Sequence, residues 1–274
     1  MIEGRDYAIA ATVGARGRQE DCSGLNDRPP PSREGSPGLL AVVADGMGGA
    51  PAGDQASEIV VNAFLSGYGR TNLPSAAERL VFALEHANET LGETIRANSA
   101  ELTGERGESP GCTLIASLFF ADRYFWLSIG DSLILRYRGG KLERINPLHV
   151  YAFELDELVR RNEISREEAD THPDRLALTS AVLGDGVEKF DFGEEHLLAN
   201  DILLLSTDGI DTLGEDELAG ICLSNENDAR EIANAIIHRI ETIDKERQDN
   251  ATVFVVRRGA YESDEADTEV VRLS

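Results

Sequence analysis

At 274 residues, 41% hydrophobic and 28% charged, the chain can bury a sizeable core as one large domain or two small ones. Fifty acidic residues against 26 basic ones give a formal net charge of -24, which excludes nonspecific attraction to nucleic acid or to an anionic membrane. Cys22, Cys112 and Cys222 form no CxxC pair and fit buried thiols in a reducing compartment; no run approaches the roughly 18 apolar residues of a membrane span, so the expected location is the cytoplasm.

Ile2-Glu3-Gly4-Arg5 spells a protease recognition sequence and is set aside as an added segment. Tyr7 to Gly14 reads as a strand and is followed by Glu20-Asp21. Residues 24–38, with Pro29-Pro30-Pro31 and Pro37, read as an exposed irregular loop, both of whose ends are expected near the acidic site described below. The apolar run Leu39 to Ala44 then stops on Asp45-Gly46-Met47-Gly48-Gly49. Behind Asp54, Ala56, Ile59, Val60, Ala63 and Phe64 recur at helical spacing, with Gly67 as the expected stop. Ser75 and Glu78 spell a capping box, and Leu80, Ala83, Leu84, Ala87, Leu91 and Ile95 form the stripe of a second helix.

Strand signals dominate from Thr113 to Leu142, with a hairpin turn at Arg138-Gly139-Gly140-Lys141. Within them Phe125 to Gly130 stops on Asp131. Ile202 to Thr207 stops on Asp208-Gly209. Ala229, Ile232, Ala233, Ile236, Ile237 and Ile240 form another helical stripe, and the strand Thr252–Val256 starts just after Asp249-Asn250. Residues 259–274, with Glu262, Asp264, Glu265, Asp267 and Glu269, read as an acidic mobile tail behind a single domain over 1–258. Helices with one apolar face beside such strands predict a layered sandwich.

A strand that ends in Asp-Gly is ordinarily a turn. Here five strand edges present carboxylates at the same kind of place, and oxygen ligands alone select hard ions, Mg, Mn or Ca. Asp45 is the best bridging candidate, because Gly46 lets the backbone approach an ion and offers a carbonyl. Two such ions about 3.5–4 Å apart would lower the pKa of a water between them toward neutrality. An anionic substrate needs a grip as well: Arg16, with Arg18 as competitor, lies on the segment leaving the first strand. His86, His149, His172, His196 and His238 are scattered and read as surface or structural residues. A nucleotide loop at Gly46-Met47-Gly48-Gly49 fails, since Pro51 stands where the last glycine of GxGxxG belongs.

Arg16-Gly17-Arg18-Gln19-Glu20-Asp21, Asp45-Gly46-Met47-Gly48-Gly49, Gly111-Cys112-Thr113, Gly130-Asp131-Ser132, Thr207-Asp208-Gly209 and Asp249-Asn250-Ala251-Thr252 resemble, in this order, the motifs of the metal-dependent protein phosphatases (PPM, the type 2C serine/threonine phosphatases) in their bacterial form. The resemblance covers Tyr7 to Arg257, and residues of about 150–180 look like the bacterial flap. It implies an α+β fold, a four-layer α-β-β-α sandwich of two packed antiparallel sheets flanked by helices. It implies two Mn2+ or Mg2+ ions with a weaker third, and hydrolysis of phosphoserine and phosphothreonine by a hydroxide bridging the two ions. Carried over by position, Asp45, Asp208 and Asp249 would bind the first ion, and Asp45, the Gly46 carbonyl and Glu20 (through water) the second. Asp131 would share the third with Asp208. Asp21 would orient the water and Arg16 would grip the phosphate. Met47, Ala50 and Leu133 depart from residues common in relatives, and none of them is a ligand. The implied partners are phosphorylated proteins and a cognate serine/threonine kinase, acted on by a monomer. The alternative is a catalytically silent regulator of the same fold that binds phosphoproteins or a kinase.

Overall fold

The computed structural model describes residues 1–47, 52–98, 102, 109–187 and 189–259. Its first sheet has the order β1 (Tyr7–Thr12), β11 (Ala251–Arg257), β10 (Ile202–Ser206), β7 (Leu133–Arg138), β8 (Lys141–Arg144). The second runs β2 (Asp21–Asn26), β3 (Leu39–Met47), β5 (Leu114–Phe119), β6 (Arg123–Ile129), β9 (Asp191–His196), and the short β4 (Gly111–Cys112) pairs with β3. Every pairing is antiparallel.

The central strands read as unbroken apolar runs because both their faces are covered, and the two-residue period divides each run between two layers. Leu39, Ala41 and Val43 of β3 meet Leu203, Leu205, Phe254 and Val256 between the sheets. The alternate residues Leu40, Val42 and Ala44 face α1 (Gly53–Arg70) and α2 (Ala76–Ala97). On the other side Leu204, Val253 and Val255 face α5 (Glu215–Ser224) and α6 (Ala229–Ile243). The expected four-layer α-β-β-α sandwich is what forms. Each fully buried Leu, Val or Phe in it contributes roughly 1.5–3 kcal/mol.

The capping box at Ser75 and Glu78 opens α2 as expected. Gly139 and Gly140, both at positive φ, close the β7–β8 hairpin between Arg138 and Lys141. Gly67 does not end α1, which runs on to Arg70. Gly67 is buried instead where α1 crosses α2, and a Cβ there would sit 2.9 Å from the His86 side chain. It is a close-approach glycine, and the helix goes on because packing outweighs its propensity.

The proline-rich loop also lies elsewhere than expected. Strands β2 and β3 form a hairpin in which Asp21 faces Asp45 at one end and Asn26 faces Leu40 at the other. The loop joins the second end, about 17 Å from the carboxylates at the strand rise. There it is fastened to the start of α2: Arg33 N–H donates to Pro74 O, and Glu34 Oε2 accepts from Ala76 N–H at 2.9 Å. The opening residues are likewise part of the fold, since Gly4 O and Arg5 O accept from Arg230 N–H and Ala229 N–H at the head of α6.

At the carboxylate pole, Val150 bridges Leu178 and closes the neck of an excursion. It carries α3 (Ala152–Arg160) and α4 (Arg166–Asp170), tied together by Asp156 to Arg166 and Arg175. The acidic tail falls on residues 260–274, outside the described residues, as do Gly48, Gly49, Ala50 and Pro51.

Candidate active site

The parity that fills the inter-sheet layer also builds the site. On β3 the inward series Leu39, Ala41, Val43 continues to Asp45, where the core reaches the rim. On β10 and β11 the same inward face continues to Thr207 and Thr252, and on β5 to Thr113. One rim therefore receives carboxylates from both sheets: Asp21, Asp45 and Asp131 from one, Asp208 and Asp249 from the other.

Asp21 joins the layers. Its Oδ2 accepts from Thr207 Oγ1 at 2.9 Å and Thr252 Oγ1 at 2.8 Å, while Oδ1 is buried with no hydrogen-bond partner. Asp45 is held through its backbone: its N–H donates to Thr113 Oγ1 at 3.0 Å, and its C=O accepts from Thr113 N–H. Thr113 Oγ1 lies 2.7 Å from Ser132 Oγ, next to Asp131. Asn250 organises the approach: Oδ1 accepts from Glu20 N–H, and Nδ2 donates to Val13 O and Arg18 O. That fixes the loop carrying Arg16. Gly46 admits no side chain, because a Cβ would lie 2.2 Å from Gly53 O and 2.6 Å from Glu20 O.

Arg16 is placed otherwise than as a phosphate grip alone. Its Nη2 donates to Asp249 Oδ2 at 2.5 Å, so one expected substrate residue pairs with one expected metal ligand. Arg18 faces Glu20 and Asp54 at 4.0 and 3.9 Å.

Burial raises the pKa of Asp21, Asp45, Asp131 and Asp208, and like charges at the rim repel one another. Asp45 is pushed far up by burial first and then by Asp21, Asp208, Asp131 and Asp249. Asp21 is raised by burial against the pull of its two threonine donors. Asp208 is raised to about 7, by burial and then by Asp131, Asp249 and Asp21. Asp131 and Glu20 are raised by burial too. Among the described residues no three carboxylates converge tightly enough to chelate an ion as they stand.

The residues nonetheless fit hard cations. The donors are all oxygen, Asp21 Oδ1 is an orphan acceptor, and the protonation the rim is driven to is what uncompensated anions show. A Cβ on Gly53 would lie 3.3 Å from both the Gly46 carbonyl oxygen and the Glu20 carboxyl carbon, so two expected donors converge there.

Thr113, Ser132, Thr207, Asn250 and Thr252 have no role of their own in the sequence reading. Their signal is a polar residue at an inward position of an otherwise apolar strand, or beside it. Asp211, on the short 3-10 helix Asp208–Thr212, likewise adds charge near Asp131 and Asp208. A cleft of about 760 Å³ lined by Arg5, Phe120, Leu197 and Arg257 opens at the opposite pole, away from the carboxylates.

The protein phosphatase 2C family model matches residues 32–219, well over half the chain. The chain belongs to the protein phosphatase 2C family. With the family comes the enzyme class, protein-serine/threonine phosphatase. This phosphatase is 28% identical over 219 residues to the serine/threonine phosphatase stp of Listeria monocytogenes, covering 80% of this chain and 84% of that protein. Its fold matches the Mycobacterium tuberculosis serine/threonine phosphatase PstP/Ppp with a TM-score of 0.72 at 26% identity, over 93% of this chain and 98% of that one. A structure of the PstP catalytic domain in complex with two manganese ions matches with a TM-score of 0.71 at 25% identity, over the same shares. No helix of the described residues is long and apolar enough to cross a membrane.

Proposed function

We propose that this phosphatase hydrolyses phosphoserine and phosphothreonine in proteins with Mn2+ or Mg2+ held at the carboxylate rim. The observation that carries this reading is that one rim receives buried, mutually repelling carboxylates from two sheets, Asp21 and Asp45 from one and Asp208 from the other, with Asp21 Oδ1 left without a hydrogen-bond partner. Asp45, Asp208 and Asp249 with Glu20 and the Gly46 carbonyl would hold two ions, and Asp131 with Asp208 a weaker third. Such ions would supply an acidified water and neutralisation of phosphoryl charge.

The chain's own residues supply the rest. Asp21 is fixed in rotation by Thr207 and Thr252, so its Oδ1 is aimed to take a proton from the attacking water. Arg16, with a side chain 58% exposed, extends over the rim and can turn its guanidinium from Asp249 to two phosphoryl oxygens. Asn250 keeps the loop of Arg16 and Glu20 in register with Asp249. Burial keeps competing water from much of the site. We assign residues 1–258 to the catalytic unit. Phosphoproteins made by a serine/threonine kinase are its substrates, and the cytoplasm is its place of action.

Phosphate release from a phosphothreonine peptide with Mn2+, repeated after EDTA and with Asp45→Ala, tests the reading. Release that both treatments abolish is expected. Full activity in EDTA or in the variant would refute it.

A further inference from the structure

His149 is 1% exposed and uses every polar group it has on three separate segments of chain. Its backbone N–H donates to Gly130 O at 2.9 Å, and its ring Nδ1 accepts from Gly130 N–H at 3.1 Å. Its C=O accepts from Thr179 N–H at 2.8 Å, and Nε2 lies 2.7 Å from Asp191 Oδ2. An Nδ1 that accepts from an amide carries no proton, so Nε2 holds it and donates to Asp191.

Both backbone polar groups of Gly130 thus end on one residue, directly before Asp131. Gly130 sits at φ +97°, where a Cβ would also lie 2.6 Å from Thr113 Cγ2. On its other side Ser132 is fastened to Thr113, the residue that holds Asp45. The Gly130–Ser132 turn is therefore clamped at both ends, by Thr113 and by His149. Thr179 lies just outside the neck where Val150 bridges Leu178 and Tyr151 N–H donates to Ala177 O. His149 is the joint between that neck and the turn. Asp191 opens the edge strand β9, opposite Ser128 of β6, and keeps the ring from rotating.

We propose that His149, oriented by Asp191, is a positioning residue that locks the Asp131 turn to the neck of the flap and so sets the geometry of the rim for phosphoryl transfer. This rests on the function proposed above. The backbone clamp alone would hold Gly130 to the flap. The ring bond adds direction, because it fixes the peptide before Gly130 while the backbone bond fixes the peptide after it; φ and ψ of Gly130 are then both set, and the residue that follows inherits its orientation.

The test uses the full chain with Asp191→Ala, Asp191→Asn and His149→Asn. Asp191 is 38% exposed in its side chain, so both of its variants fold even if His149→Asn does not. In protein without added metal, amide hydrogen exchange at Gly130 and Thr179 is expected to quicken about tenfold in Asp191→Ala, while the melting temperature and exchange elsewhere in β6 stay unchanged. Asp191→Asn, whose Oδ1 still accepts from Nε2, restores wild-type exchange. Nitrogen-15 shifts of the wild-type ring show an unprotonated Nδ1. With Mn2+, kcat falls about tenfold in Asp191→Ala on both a phosphothreonine peptide and an aryl phosphate, within the usual cost of removing such a supporting partner. His149→Asn behaves like Asp191→Ala. Wild-type exchange in Asp191→Ala, or unchanged kcat there beside an active wild type, overturns the inference alone. A wild type inactive with Mn2+ overturns the proposed function instead.

Discussion

Replacing Asp45 by Asn is expected to make the metal-free enzyme more stable and the Mn2+-loaded enzyme less stable than wild type. At pH 7.5 wild-type folding must either leave a proton on Asp45 or hold its charge, buried, against Asp21, Asp208, Asp131 and Asp249. Each unit by which folding raises a carboxyl pKa costs about 1.36 kcal/mol above its unfolded value. Expression of only two of those units costs roughly 3 kcal/mol, so a gain of about 2 kcal/mol is expected from the neutral isostere. The variant keeps both backbone bonds to Thr113, and its amide can donate to the orphan Asp21 Oδ1. At this chain length 2 kcal/mol corresponds to roughly 4–8 °C in melting temperature. A cation at a thousandfold excess over its Kd stabilises a protein by about 4 kcal/mol. Wild type receives that and the variant does not, so the order reverses by about 2 kcal/mol. Urea denaturation of both proteins in EDTA and in Mn2+ reads the crossing directly. A variant less stable than wild type in EDTA, or stabilised by Mn2+ as much as wild type, would show that the rim carries no such strain.

The metal-free wild type should lose stability as pH rises. Asp208 holds its proton in the folded state to about pH 7, whereas an unfolded aspartate loses it near 4. The unfolded chain then binds fewer protons, so stability is full below about pH 4 and falls toward pH 7, by on the order of 2–4 kcal/mol; a flat or rising denaturation profile in EDTA contradicts this. Gly46→Ala would press a methyl against Gly53 O and Glu20 O. It should cost about 3 kcal/mol in urea denaturation and displace Glu20 enough to weaken Mn2+ binding by calorimetry. Arg16→Ala should raise KM for a phosphothreonine peptide about tenfold, the worth of one charge-assisted contact, while leaving the calorimetric Mn2+ affinity undiminished because Asp249 is released. Weaker Mn2+ binding in that variant would make Arg16 a support for Asp249 and not a substrate residue.

The carboxylates were legible because each ends an apolar run, and a strand that stops on Asp is visible without knowing its neighbours. Which strands face each other was not legible. The first strand pairs with the last, Tyr7 with Val256, and no local pattern records that register. Strand β2 escaped notice because Ser23 and Gly24 break its pattern. Gly24 is small because Val61 and Leu65 of α1 lie within 2.8 Å of where its Cβ would be, a fact of packing. Without β2 there is no β2–β3 hairpin to carry the proline-rich loop to the far pole. Thr207 and Thr252 look like ordinary strand residues until both sheets stand around Asp21. His149 is one of five histidines with nothing local to distinguish it.

The arrangement constrains the order of events at the rim. Among the described residues Asp21 has donors from the opposite sheet and Asp249 has Arg16, whereas Asp45, Asp208 and Asp131 meet the charge of their neighbours. A phosphate approaching that surface meets like charge at short range, in a setting where water screens poorly. Arg16 cannot overcome this alone, because its charge is already spent on Asp249. On the proposed function, substrate binding would have to follow compensation of the rim, and Arg16 would be the residue that reports it. While Asp249 is uncompensated it keeps the guanidinium, and once balanced it would let the guanidinium turn to the phosphate of the proposed substrate. The pairing of Arg16 with Asp249 is on this account the resting arrangement of the site, and it would make affinity for phosphorylated substrate depend on cation occupancy through one side chain.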